Sequence, residues 1–383
     1  MALGRLSKCC PSLLYESSKG VLCGFLHSGW SKSCVQAKRH LLTEDVIKLQ
    51  DFQQKKLASA HFIKAREGNF IQRFNEKLQR KELILRDDLK QLLHLCQTPD
   101  DMVVARDAIY RYHLENSNFA YGEFNFGPLF MRLCYELGFE EMAAAAITDT
   151  TLKGFFNDST SFNIAIDMLF LKGAYENALE VLRIMQIYSI PFNKHTLILA
   201  FGTCYKLNTP ESFKICISLI EETQSKGRII PRHAYCFGIA LALQQNETEM
   251  ARSLFSRIRN TEGRLCGNLK VLTLAMSGKF EEVTSILLAA TLHKAPAFIK
   301  KQEFSQEVVD LVRLQCGDGP DITEINQILS RLEQAGQVIQ VTLDDLLCHT
   351  PTGKVKLSPI MEYTRRTRSR RTFNLLNSTL LSE

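Results

Sequence analysis

Gly138, Gly173, Asn208, Asn246 and Gly278 follow one another along this chain at intervals of 35, 35, 38 and 32 residues. Glycine and asparagine enter the left-handed backbone conformation most readily, and a helix that must stop and reverse often places one of them just past its end. Apolar residues at helical spacing flank each of these positions. Before Gly173 come Phe162, Ala165, Ile166, Leu169 and Phe170, which share one face of a helix; after it, Ala178, Val181, Leu182 and Met185 share another. Thirty-five residues on, the same positions read Leu197, Ala200, Phe201, Cys204 and Tyr205, then Phe213, Cys216, Ile217 and Ile220. A further 38 residues bring Tyr235, Gly238, Ile239, Ala242 and Leu243, then Ala251, Leu254, Phe255 and Ile258. The second helix recurs once more as Val283, Ile286, Leu287 and Ala290. Such a period predicts an all-α fold, an α-solenoid of stacked helix-turn-helix repeats. No pair buries its apolar face alone, and each covers the next.

This register divides the chain into a leader, residues 1–39, and an N-terminal helical cap, 40–88. A degenerate repeat follows at 89–123, where Val103 stands in for the turn glycine and Arg111 interrupts the apolar face. Five repeats occupy 124–297, further helices 298–350, and a basic tail, expected to be disordered, 351–383. Charge follows the same division. The leader carries six Lys/Arg against one acid, and the tail seven against two. Residues 40–350 are left with 34 basic and 38 acidic residues, a balance of −4. A Ser-containing, basic, acid-poor start without a continuous apolar core reads as a mitochondrial transit peptide, with Lys38-Arg39-His40 as a processing point. The twelve cysteines include no CxxC pair, and Cys134, Cys204, Cys216, Cys236 and Cys266 fall at or beside apolar helical positions. They read as small core residues in a reducing compartment. No apolar run is long enough to span a bilayer.

Ser161-Phe162-Asn163, the Lys172-Gly173 turn, Asn177-Ala178-Leu179-Glu180 and Met185 make the unit Thr160–Asn193 resemble a pentatricopeptide repeat. Leu137-Gly138 with Glu140-Glu141, and Gly154 through Asp158, extend the likeness to the preceding unit. The resemblance implies single-stranded RNA on the concave face lined by the first helices. It implies one base per repeat, read by a polar residue early in the first helix and by the residue that closes the repeat. Those positions are Asn163 and Asn193 in the best unit, with Asp158 closing the unit before and Asn268 early in the last. Asn/Asn pairs lean towards pyrimidines in that family. Pro128, Ile198 and Cys236 hold the early position elsewhere and offer little to a base edge. The amides also suit local roles: Asn163 bonding near a helix start, Asn193 capping the next helix.

The run Arg365, Arg366, Arg368, Arg370 and Arg371 suits RNA phosphates or an acidic partner. Arg252, Arg257, Arg259 and Arg264, with Lys270, form a second basic stretch or simply solvated helix faces. The carboxylate pairs Asp87-Asp88, Asp100-Asp101, Glu281-Glu282 and Asp344-Asp345 read as first helical turns, where acids suit the dipole. The nine histidines lack metal-ligand spacing, and the sequence carries neither a Gly-rich phosphate loop nor a nucleophile elbow. The reading is a non-enzymatic matrix protein without cofactor or metal. It would hold mitochondrial single-stranded RNA so that a separate nuclease or other mitochondrial proteins can act, without membrane insertion. The alternative is a scaffold for a mitochondrial ribosomal or respiratory-chain assembly.

Overall fold

A computed structural model describes residues 40–64, 70–116, 124–292, 301–317 and 322–349, all within one structural unit, Met1–Thr350. The leader and the basic tail lie outside the described residues. The first elements are α1 (Glu44–Ile47), α2 (Leu49–Lys64), α3 (Phe70–Gln79), α4 (Arg86–Leu95) and α5 (Pro99–Asn116). The repeat pairs are α6 (Gly127–Leu137) with α7 (Glu140–Thr148), α8 (Ser159–Lys172) with α9 (Tyr175–Ile187), and α10 (Lys194–Leu207) with α11 (Pro210–Ser225). They continue as α12 (Arg232–Gln244) with α13 (Thr248–Ser256), and α14 (Arg264–Met276) with α15 (Phe280–Leu292). A two-residue strand β1 (Phe304–Ser305) leads into α16 (Gln306–Cys316) and α17 (Ile322–Gln334). Strand β2 (Val338–Ile339) then pairs in parallel with β1, and α18 (Leu343–Leu347) follows.

The turns form where the conformational argument puts them. φ is +76° at Gly138, +78° at Gly173, +47° at Asn208, +60° at Asn246 and +70° at Gly278. Each closes the first helix of a pair and sends the chain back along the second. First helices pack on first helices through α6, α8, α10, α12, α14 and α16, and second helices flank them. The fold is therefore an α-solenoid. Every apolar first-helix position read from the periodicity in the three central units is buried, from Phe162 at 0% exposure to Tyr235 at 8%.

Two features differ from the periodic reading. In the unit before the array, the helix break falls at Cys96–Thr98, and Val103 lies inside α5. Pro99 starts that helix, where a proline's missing N–H is harmless, and this overrides the 35-residue register. The first helices are also buried on every side rather than on one stripe: Ser161–Phe170, Thr196–Tyr205 and Ala234–Leu243 have no exposed residue. Distant segments cover the flank that the second helices leave open. From the N-terminal side, the Leu41 amide donates to Asp167 at 3.1 Å and the Leu41 side chain rests beside Gly202. From the C-terminal side, Lys206 grips both oxygens of Asp344 at 2.6 and 2.7 Å, and the His233 ring meets the Leu347 carbonyl at 2.6 Å. Burial holds His233 below the ordinary histidine pKa, which suits a neutral ring with Nε2 as donor. Both arms touch α10.

Candidate nucleic-acid interface

The loops that join one repeat to the next gather the ends of second helices and the starts of first helices on one rim of the stack. Asp158 caps α8 there. Its carboxylate accepts from the Ser161 amide at 3.0 Å, the Ser161 hydroxyl at 2.7 Å and Asn125 Nδ2 at 2.8 Å. Asn193 caps α10 in a reciprocal box with Thr196. Its Oδ1 accepts from the amides of His195 and Thr196 at 2.9 and 3.0 Å, while its Nδ2 donates to Ser159 Oγ at 2.9 Å. Asn163 lies behind it, 1% exposed. The Asn163 Nδ2 donates to Asn193 Oδ1 at 3.3 Å, and its Oδ1 accepts from the Thr196 hydroxyl at 2.8 Å. The structure thus brings Asn163 and Asn193 into contact with each other across two repeats. Asn193 is half-buried at the rim, and Asn163 is enclosed.

Asn268 stands deeper. Its side chain is fully buried, donating to the carbonyls of Arg264 and Glu303 at 2.8 and 3.0 Å and accepting from the Ser305 amide at 2.7 Å. It fastens α14 to β1. The tail residues Arg365, Arg366, Arg368, Arg370 and Arg371 lie outside the described residues. Among the described residues no group of three or more His, Cys, Asp or Glu is placed to hold a metal ion, and no helix is long and apolar enough to cross a membrane. All four carboxylate pairs occupy first helical turns, in α4, α5, α15 and α18. The eight described cysteines are free and buried, and burial pushes the Cys96 and Cys204 thiols up to about 12.

Charge is sorted between the two edges of the stack. All five second helices, α7, α9, α11, α13 and α15, carry an acid in their first turn, as the dipole favours. None of the five first helices does, and three begin on a cation: Lys194 in α10, Arg232 in α12 and Arg264 in α14. A cation at a helix start costs about 0.3–1 kcal/mol. The rim segments 183–194, 221–232 and 257–264 hold eight Lys/Arg and three acids, within a body of balance −4. Several of these arginines reach from one loop to the next: Arg228 to the Phe192 carbonyl, Arg232 to the Glu262 carbonyl at 3.0 Å, and Arg257 to Gln224 at 3.0 Å. Between the C-terminal ends of α9 and α11 lies a cleft of about 530 Å³, lined by Arg183, Ile187, Phe192, Leu219, Lys226 and Arg228 among others. Of the cations on this rim the sequence pattern pointed only to Arg257, Arg259 and Arg264. The missed signal is that Lys194, Arg232 and Arg264 recur at 38 and 32 residues, the same steps as Asn208, Asn246 and Gly278.

No family model matches the chain. Whole proteins do. It is 47% identical over 382 residues to the zebrafish (Danio rerio) protein called "Pentatricopeptide repeat-containing protein 2, mitochondrial", covering all of both chains. It is 46% identical over 348 residues to the human (Homo sapiens) protein of that name, covering 91% of this chain and 89% of that one. The mouse (Mus musculus) protein of the same name is 45% identical over 348 residues, covering 91% of each. Identity at this level, spread over nearly the whole length and joined to a solenoid of helix pairs of the expected period, means that the chain belongs to the family of pentatricopeptide repeat-containing protein 2.

Proposed function

We propose that this chain is a mitochondrial matrix protein that binds single-stranded RNA and so promotes processing, maturation or stability of mitochondrial transcripts, with respiratory-chain function depending on it. The observation that carries this reading is the regular return of helix pairs whose closing residues, Asp158 and Asn193, sit half-buried on one rim. Polar closing residues in two successive repeats suit a linear polymer taken one unit at a time, and the next two repeats close on Pro231 and Gly263. In this reading Asn193 and Asp158 meet bases, while Asn163 and Asn268 hold the rim in shape from behind. Arg365, Arg366, Arg368, Arg370 and Arg371 add phosphate contacts, and a separate nuclease performs any cleavage. The flank of the first helices is filled by the chain's own arms, so the strand lies at the rim or enters that flank only after the arms leave.

Asn193→Asp tests the base-reading part without removing the cap, because aspartate caps a helix as well as asparagine does. The variant is expected to fold as the parent does, and its preference among the four homopolymeric RNAs should shift by roughly 1 kcal/mol as an amide donor is lost. An unchanged order and strength of binding would remove Asn193 from base contact. One observation favours the scaffold reading: segments 40–47 and 342–348 show that the first-helix flank accepts polypeptide. Isolation of the protein in a stable RNase-resistant assembly, with no bound RNA, would favour it.

A further inference from the structure

The rim combines four properties that suit a polyanionic partner, although Arg183, Lys226 and Arg264 also pair with Glu180, Glu222 and Glu303. Its cations are exposed apart from the half-buried Arg183, and Lys194, Arg232 and Arg264 lie in register from repeat to repeat. Three of them stand at helix starts, Lys194, Arg232 and Arg264, where the local backbone disfavours positive charge. The row is continuous, because Arg228, Arg232 and Arg257 bridge successive loops through one or another of their five donors and keep others for a ligand. An open cleft with an apolar and aromatic lining, Ile187 and Phe192, adjoins Arg183, Lys226 and Arg228.

Local folding preference would put acids or neutral caps where Lys194, Arg232 and Arg264 stand, as it does at the starts of all five second helices. Arg232 and Arg264 each have a partner inside the fold, the Glu262 carbonyl at 3.0 Å and the Glu303 carboxylate at 2.6 Å, but neither contact accounts for the return of a cation at the step of the repeats. A row of cations at the step of the repeats matches a partner whose own charge recurs at a fixed step. Single-stranded RNA has that property, and the neighbouring cleft offers its bases the flat and apolar contacts that a sequence-tolerant strand uses.

We infer that the rim from Arg183 to Arg264 is a phosphate track for single-stranded RNA, with the cleft between α9 and α11 receiving a base. The inference rests on the RNA-binding reading above and deepens it by naming the surface. The strand runs along the stack. Lys194, Arg232 and Arg264 each neutralise a phosphate, and Arg228, Arg257 and Arg259 supply further contacts from the loops. Asn193 and Asp158 lie on the same rim, so a strand held there passes the closing residues of successive repeats.

The test is the triple variant K194Q/R232Q/R264Q in the full chain, measured against a poly(U) oligonucleotide over a range of salt. Each phosphate contact contributes about −0.7 to the log–log salt slope for a single strand. The slope is therefore expected to shrink by about 2, and affinity at 0.1 M salt to fall about 100-fold. Melting temperature should change little, since the surface contacts of Arg232 with the Glu262 carbonyl and of Arg264 with Glu303 are lost while charges unfavourable to the helix starts are removed. The control K172Q/K279Q, at the opposite edge, should bind as the parent does. A parent that binds poly(U) with a triple variant of unchanged slope would overturn the track and leave the RNA reading standing. A parent that fails to bind any homopolymer would overturn the RNA reading itself. Equal binding of poly-glutamate and poly(U) by the parent, both lost in the triple variant, would replace RNA with an acidic protein partner.

Discussion

Asn268→Ala is expected to destabilise the protein by roughly 3 kcal/mol, because it strands buried polar groups on two elements. The Asn268 side chain is fully enclosed and supplies the acceptor for the Ser305 amide at 2.7 Å, where Ser305 is itself fully buried. It also donates to the Glu303 carbonyl at 3.0 Å. Alanine leaves both groups without that partner in a site closed to bulk water, and an orphaned buried group costs about 1–3 kcal/mol. Asn268→Asp is no repair, since its carboxylate would face the carbonyls of Arg264 and Glu303 that the amide now serves. Urea unfolding checks the claim: the midpoint should fall with an unchanged slope. A loss below about 0.5 kcal/mol would mean that Asn268 does not hold α14 to β1.

The second large effect concerns the arm over α10. A Cβ added at Gly202 would stand 2.8 Å from Leu41 Cδ1, with Phe237 and Phe170 behind it at 3.4 and 3.5 Å. Gly202→Val puts a branched side chain into that space, and Leu41 must leave. Overpacking of this kind costs about 1–3 kcal/mol, and here the arm can yield more readily than the helices. Amides of 40–47 are expected to exchange roughly ten- to a hundredfold faster, while those of α12 stay protected. Adding Leu41→Ala should recover part of the lost stability, because the two residues share one space. Gly238 supplies the contrast. Its added Cβ would meet its nearest neighbours at 3.5 Å, an ordinary contact, so Gly238→Ala should be neutral or slightly stabilising. Slow exchange of the arm in Gly202→Val would show that Leu41 does not depend on the glycine.

These two sites mark the limit of what periodicity discloses. The repeat was legible because each turn needs a residue tolerant of positive φ, and each helix face needs apolar residues at a step set by backbone geometry. Both requirements are local. Asn163 and Asn268 stood out as polar residues early in first helices, but whether such a group faces solvent or a partner depends on what packs beside it. Leu41 reaches Asp167 across 126 positions, and Lys206 reaches Asp344 across 138. No period carries that information. The same contacts explain why the first helices are buried all round when their pattern promised a stripe. The break at Cys96–Thr98 followed Pro99 rather than the register, a case of local chemistry overriding an inherited step. The rim was readable in principle, since its cations repeat, but the significance of Lys194, Arg232 and Arg264 depends on their standing at helix starts.

The central claim is that this member of the family holds RNA along the rim. It is tested most directly by ultraviolet crosslinking in intact mitochondria, with the RNA-bearing peptides of the protein identified. The account predicts attachment within 183–194, 226–232 and 257–264, on a small set of transcripts. RNA attachment at background level, or attachment confined to peptides of 351–383, would contradict it.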